Sequence, residues 1–179
     1  MLDSRTVQIV LGDLQSGIAE ASRTNPPAAL RRSVGVLATV AGVLEIPITV
    51  SLAPGSGVIE EIPADVPVLV RTGPCVWDDE AARKVITAAE RPVIALAGVT
   101  SEIVVLRTAI DALAAGYAVH VLVDACGGLT DRTEAAAFRQ IEAAGGIVTS
   151  VAGFASDMVR NFTTPKGREI ITALHGLAA

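Results

Sequence analysis

The 179-residue chain is predicted to fold as a three-layer α/β sandwich, with helices on both faces of a central six-stranded, mainly parallel sheet. Three observations carry that prediction. Short β-branched apolar runs alternate with longer helical patterns, as βα units do. The strand candidates are apolar on both faces, which suits strands buried between two helix layers. Aromatic residues make up only 3% of the chain, so Ala, Val, Leu and Ile must build the core.

Taken in order, the first strand is Thr6–Gly12, and a Pro-bearing loop, Ser22–Pro27, follows. The first helix is Ala28–Leu44 and the second strand Ile48–Leu52. A second long loop, Ala53–Pro67, overlaps a third strand at Val66–Val70, and both loops are long enough to cover a site. Asp79–Glu90 reads as a helix and Val93–Ala97 as the fourth strand. Ser101–Ala115 has a helical stripe at Ile103, Leu106, Ile110 and Leu113, expected to face the core. Val104 falls one step round, on the more polar row with Thr108 and Asp111. The fifth strand is Ala118–Val123, the next helix Asp131–Ala144, and the sixth strand Ile147–Ser150. Ser156–Leu177 contains Pro165 and should hold two short helices around it. No repeat, linker or low-complexity tract divides the chain, so 1–179 is expected to be one domain.

Composition excludes several function classes. The net charge of −5 and scattered basic residues argue against nucleic acid. No apolar run reaches the ~18 residues of a membrane span, and MLDSRTVQIV lacks the features of a signal peptide. A cytoplasmic protein without membrane contact is expected. Cys75 and Cys126 form no disulfide framework and no ligand spacing. No Gly-x-Gly-x-x-Gly follows the first strand and no Walker motif is present, so no nucleotide cofactor is expected, and no His/Asp cluster in the sequence supports a metal.

In a parallel sheet, ligands bind where the strands end. VLGDLQ places Asp13 there, VLVRTGPCVWDD places Arg71, and the later strands bring Gly98-Val99-Thr100-Ser101 and Asp124-Ala125-Cys126. Arg71 is the natural partner for a buried Asp13, because a bidentate Asp–Arg pair is strong. Asp13 could take up a proton while Arg71 orients it and binds oxygens. The same two residues could equally be an ion pair that only fixes loop geometry. Ser101 suits the N-cap of the helix that follows it, whose N–H groups could hold an oxyanion. His120 reads as a strand-face histidine, and His175 lies in the C-terminal segment, far from the strand ends in sequence.

These motifs resemble the isochorismatase-like hydrolases over nearly the whole chain. VLGDLQSGI is similar to the family's first-strand motif ending in the catalytic Asp followed by Gln. RTGPCVWDD resembles the Arg-Thr-x-x-Asn-Ala-Trp-x-Asp motif of the small oligomeric branch. ALAGVTSEIVVLRTAIDALAAGYAVHVLVDACGG resembles the segment Ala-Gly-x-x-Thr-Glu-x-Cys-Val, an Ala-rich helix, Gly-Tyr-x-Val and a strand ending Asp-Ala. The tail from Phe154 to His175-Gly176 has the same branch pattern.

The resemblance implies an isochorismatase-like, Rossmann-like fold, a small-molecule substrate and a homo-oligomer. Asp13 matches the general base and Arg71 the basic member of the triad. The nucleophilic Cys falls on Val104, so the thiol route is closed at that position. Gln15, Cys75, Trp77, Val99, Thr100 and Ser101 match the substrate side, with Cys75 in place of the usual Asn. The Val99–Thr100 bond matches the family's cis peptide. Three readings follow: a hydrolase that uses Asp13 and Arg71 without a covalent intermediate, an inactive binding or assembly module, or a nucleophile relocated to Cys75 or Cys126.

Overall fold

The computed structural model describes residues 1–178. Its strands are β1 (Val7–Gly12), β2 (Ile48–Leu52), β3 (Val68–Val70), β4 (Val93–Val99), β5 (Ala118–Gly127) and β6 (Ile147–Thr149). They form one six-stranded sheet in the order β3-β2-β1-β4-β5-β6. Every pairing is parallel, so the sheet is wholly rather than mainly parallel. The helices are α1 (Pro27–Leu44), α2 (Glu80–Ala88), α3 (Leu106–Ala114), α4 (Asp131–Ala143), α5 (Val151–Met158) and α6 (Pro165–His175). The three-layer α/β sandwich expected from the sequence is the fold.

All strand side chains of β1 and β2 are buried, as helix layers on both faces require. Helix α1 is 18 residues long with a mean hydropathy of 1.2, so by length and composition alone it passes the test for a membrane span that the sequence was expected to fail. It is a core helix: Leu30, Val34, Leu37, Val40 and Ala41 are buried, and it packs against β5 and α6. Pro26 and Pro27 open it, and Glu45 ends it in a left-handed conformation.

Two expectations fail around β4 and β5, for connected reasons. Residues Ser101–Val105 form a π-helical turn ahead of α3. A π turn adds a residue and rotates every later side chain relative to an unbroken helix. The fully buried face is therefore Val104, Val105, Thr108, Ala109 and Ala112; of the expected stripe, Leu106 and Leu113 pack partly buried against the core, while Ile103 and Ile110 do not join it. Ile103 is 49% exposed. Strand β5 also runs past its expected end. Between the pairs Leu96↔Val121 and Gly98↔Cys126, β4 advances two residues while β5 advances five. That bulge carries Asp124 out of the regular ladder. The last helical segment likewise begins at Val151 rather than Ser156, capped by the Ser150 hydroxyl, which accepts from Gly153 N–H at 3.0 Å.

Candidate active site

The C-terminal end of β1 delivers Asp13, whose backbone is left-handed with φ 54°. Arg71 follows β3 directly and reaches across β2 to it. Its Nη1 and Nη2 donate to Asp13 Oδ1 and Oδ2 at 2.8 and 2.5 Å, a bidentate pair. The side chains are only 2% and 11% exposed for Arg71 and Asp13. The Ala53 N–H donates to Asp13 Oδ1 at 2.6 Å, and Arg71 Nη1 also donates to the Ser51 carbonyl at 3.1 Å. A charge pair this deep persists only where its remaining hydrogen-bonding groups are met as well. Three strands and the 53–67 loop meet most of them here. The Arg71 Nε–H is buried without a partner.

That loop does cover the site. Gln15 pairs with Val58 in an isolated antiparallel bridge, and Gln15 Nε2 donates to the Ser56 carbonyl at 3.3 Å. The Gln15 Oε1 and Thr100 Oγ1 atoms are buried without partners. With Arg71 Nε, they leave one donor, one acceptor and one hydroxyl unused around the strand ends. The Ser22–Pro27 loop is tied to β5 instead: Asn25 Nδ2 donates to the Asp124 carbonyl at 2.6 Å and to the Cys126 carbonyl at 3.2 Å.

The Val99–Thr100 peptide bond is cis, as the resemblance implied. Gly98 brings β4 so close to the Gly12 carbonyl that a side chain at 98 would collide with it. Ser101 does not cap the helix. It lies inside the π turn, and its hydroxyl donates to Glu134 Oε1 at 2.6 Å. Thr100 is the N-cap residue, without a side-chain capping bond. Val104 is 1% exposed and lies directly on β1: a Cβ placed on Gly12 would meet its Cγ2 at 2.6 Å. It is a core residue, the reading its spacing in a short apolar helix favoured, although its row also carries Thr108 and Asp111.

Asp124 leaves the expected crevice. Its Oδ1 accepts from the Val151 N–H at 2.8 Å and caps α5, while burial raises its carboxyl above the ordinary value. Trp77 meets Tyr117 edge-on, with ring centroids 5.1 Å apart, at the far end of α3 from Val104. Cys75 is buried beside Asp111, its Sγ 3.2 Å from Asp111 Oδ2, and Thr108 Oγ1 lies 3.9 Å from the sulfur. Burial and Asp111 raise its thiol pKa. Cys126 is fully buried on β5, and its thiol is pushed far up by desolvation. His120 is 9% exposed beside Phe154 on α5, and burial lowers its pKa, as a strand-face histidine should show. His175 ends α6 and is exposed.

The structure thus brings Asp13 and Arg71 together and holds Gln15, Thr100 and Val104 at the same strand ends. Trp77, Cys75 and Asp124 have other partners. Ala53, whose N–H donates to the Asp13 carboxylate, and Ser51, whose carbonyl accepts from Arg71, were not singled out in the sequence, since backbone groups leave no side-chain signal.

Several known proteins are similar to this chain. A family model described as the isochorismatase domain matches residues 8–153. The Escherichia coli K12 protein YcaC, described as a probable hydrolase, is 26% identical over 90% of this chain and 81% of its own length. The crystal structure of the E. coli YcaC gene product, described as an octameric hydrolase of unknown specificity, is 26% identical and superposes with a TM-score of 0.88 over 98% of this chain and 88% of that one. YcaC from Pseudomonas aeruginosa, with hexane-2,5-diol and covalent acrylamide, shares the fold at a TM-score of 0.91 and 23% identity, over 99% of this chain and 93% of that one.

Proposed function

The chain belongs to the isochorismatase family, and from that premise we propose that it hydrolyses a small molecule without a covalent thiol intermediate at position 104. The observation that carries this is the bidentate Asp13–Arg71 pair at the ends of β1 and β3. Asp13 serves as acid/base. Arg71 holds the carboxylate in one orientation and offers its unpartnered Nε–H to substrate oxygen. Val104 forms a wall. Gln15 and Thr100 supply polar atoms to the substrate, and residues 1–179 act as one domain. Water is the nucleophile: Asp13 takes one of its protons as its oxygen bonds to the electrophilic carbon, the bond from that carbon to the leaving group breaks, and Asp13 returns the proton to the leaving group while the second stays on the product oxygen.

A turnover screen over amides, vinyl ethers and esters tests this with wild type, Asp13→Asn and Val104→Cys. Wild-type turnover that Asp13→Asn abolishes supports the water route. Amidase activity confined to Val104→Cys defeats it. The second reading, a binding or assembly module, draws on the closure of the site: Val104, Arg71 and Asp13 are only 1%, 3% and 8% exposed. It gains if no variant turns over any substrate. If turnover survives Asp13→Asn but not Cys75→Ala, the nucleophile has moved to the β3–α2 loop. The octameric E. coli relative supports a homo-oligomer here too. A monomeric mass by light scattering at micromolar concentration would rule that out.

A further inference from the structure

The geometry points to a binding site for one thiophilic divalent cation, of the Zn²⁺ or Co²⁺ class, held by Cys75 Sγ and the carboxylates of Asp78 and Asp111. It is separate from the Asp13–Arg71 pair and does not depend on the hydrolytic reading.

Three potential ligand atoms, one from each residue, lie within 4.8 Å of one another. In a tetrahedral site with metal–sulfur and metal–oxygen bonds of about 2.3 and 2.1 Å, ligand atoms sit about 3.5 Å apart. The Cys75 Sγ to Asp111 Oδ2 separation of 3.2 Å is already close to that edge. Asp78 is exposed and Asp111 half-buried, so both carboxylates can turn by one rotamer to close the third edge. The donors come from two elements fixed independently. Cys75 and Asp78 sit three residues apart on the loop before α2, and Asp111 projects from the middle of α3. Thr108, one turn before Asp111, accepts from the Val76 N–H at 3.0 Å and locks that loop to the helix.

The charge balance gives a second, independent reason. Two carboxylates stand beside a buried sulfur, yet among the described residues no arginine or lysine forms a salt bridge with Asp78 or Asp111. A mixed sulfur and oxygen donor set favours Zn²⁺ or Co²⁺ over Mg²⁺ and Ca²⁺, which take oxygen alone. Binding forms a metal–thiolate bond and releases the Cys75 proton to solvent, with no change of oxidation state. Three protein donors leave one position for water.

The test is titration of the intact, metal-free protein with Co²⁺ under reducing conditions free of thiols. One equivalent is expected to produce a thiolate-to-cobalt charge-transfer band in the near ultraviolet together with intense tetrahedral d–d bands, and Zn²⁺ should abolish both. Cys75→Ser should remove the charge-transfer band. Asp78→Asn alters an exposed residue, so the fold is kept, and it should weaken Co²⁺ by about tenfold or more. Absence of saturable binding overturns the proposal. So does a charge-transfer band that persists in Cys75→Ser, or Co²⁺ affinity unchanged in Asp78→Asn.

Discussion

The contact between Val104 and Gly12 can be tested by filling it. A methyl group added at Gly12 would lie 2.6 Å from Val104 Cγ2 and 3.3 Å from Cγ1. Carbon atoms in contact prefer about 3.5–4.0 Å, so the overlap is about 1 Å and neither partner has room to retreat. Overpacking of this kind costs about 1–3 kcal/mol, so Gly12→Ala should destabilise by that amount. Val104→Ala deletes two γ-carbons from a fully buried site, about 1.6 kcal/mol in transfer alone, and the cavity raises the cost to about 2–3 kcal/mol. In the double variant the added methyl occupies the vacated space. The clash and most of the cavity vanish together, so the pair should be less destabilised than the sum of the single variants by about 2 kcal/mol. Urea denaturation at fixed protein concentration reads this as midpoint shifts at constant slope. Additivity within about 0.5 kcal/mol would refute the placement of Val104 against β1.

The remaining predictions concern the ion pair and His120. Arg71→Met should cost about 3–5 kcal/mol by leaving the Asp13 carboxylate buried and unpaired, and adding Asp13→Asn should recover part of it; a loss below about 1 kcal/mol in chemical denaturation would mean the pair is solvated. Burial lowers the His120 pKa below its unfolded value of 6.5. The unfolded chain therefore binds more protons, so stability falls as pH drops below about 6.5 until the folded pKa is passed. Phe154, Asp157 and Leu2 line its cleft, and the Asp157 charge opposes the shift. Melting temperatures followed from pH 7.5 to 5 should decline less steeply in His120→Gln than in wild type. Equal slopes would show that His120 does not titrate differently on folding.

The sheet was legible from the sequence because its signal is local. Strands such as Ile48–Leu52 are apolar on both faces, and that pattern needs no knowledge of neighbours. The Asp13–Arg71 pair was legible for the same reason: each ends a strand, and parallel strands end on one edge. The misses came from effects that single-residue patterns do not carry. The π turn shifted the phase of the next helix, so large residues at Ile103 and Ile110 were assigned to the core while small ones took it. Thr108, Ala109 and Ala112 are buried because small side chains let α3 approach the sheet closely. The bulge in β5 moved Asp124 from a supposed crevice to the end of α5. The Cys75–Asp111 contact spans 36 residues, and nothing in either local sequence anticipates it.

The ion pair also has a consequence for the rim of the sheet. Strand β3 is the outer strand on its side, three residues long, and Val68 and Val70 are 44% and 64% exposed. An edge that short and apolar holds weakly by its ladder alone, and when loose it offers open N–H and C=O groups to any other strand. Arg71 is the next residue, and its guanidinium is bolted beneath β2 to Asp13. The salt bridge therefore works as a clasp on the hem of the sheet. Cutting it should turn a folding defect into a solubility defect, with chains associating edge to edge before they fully unfold.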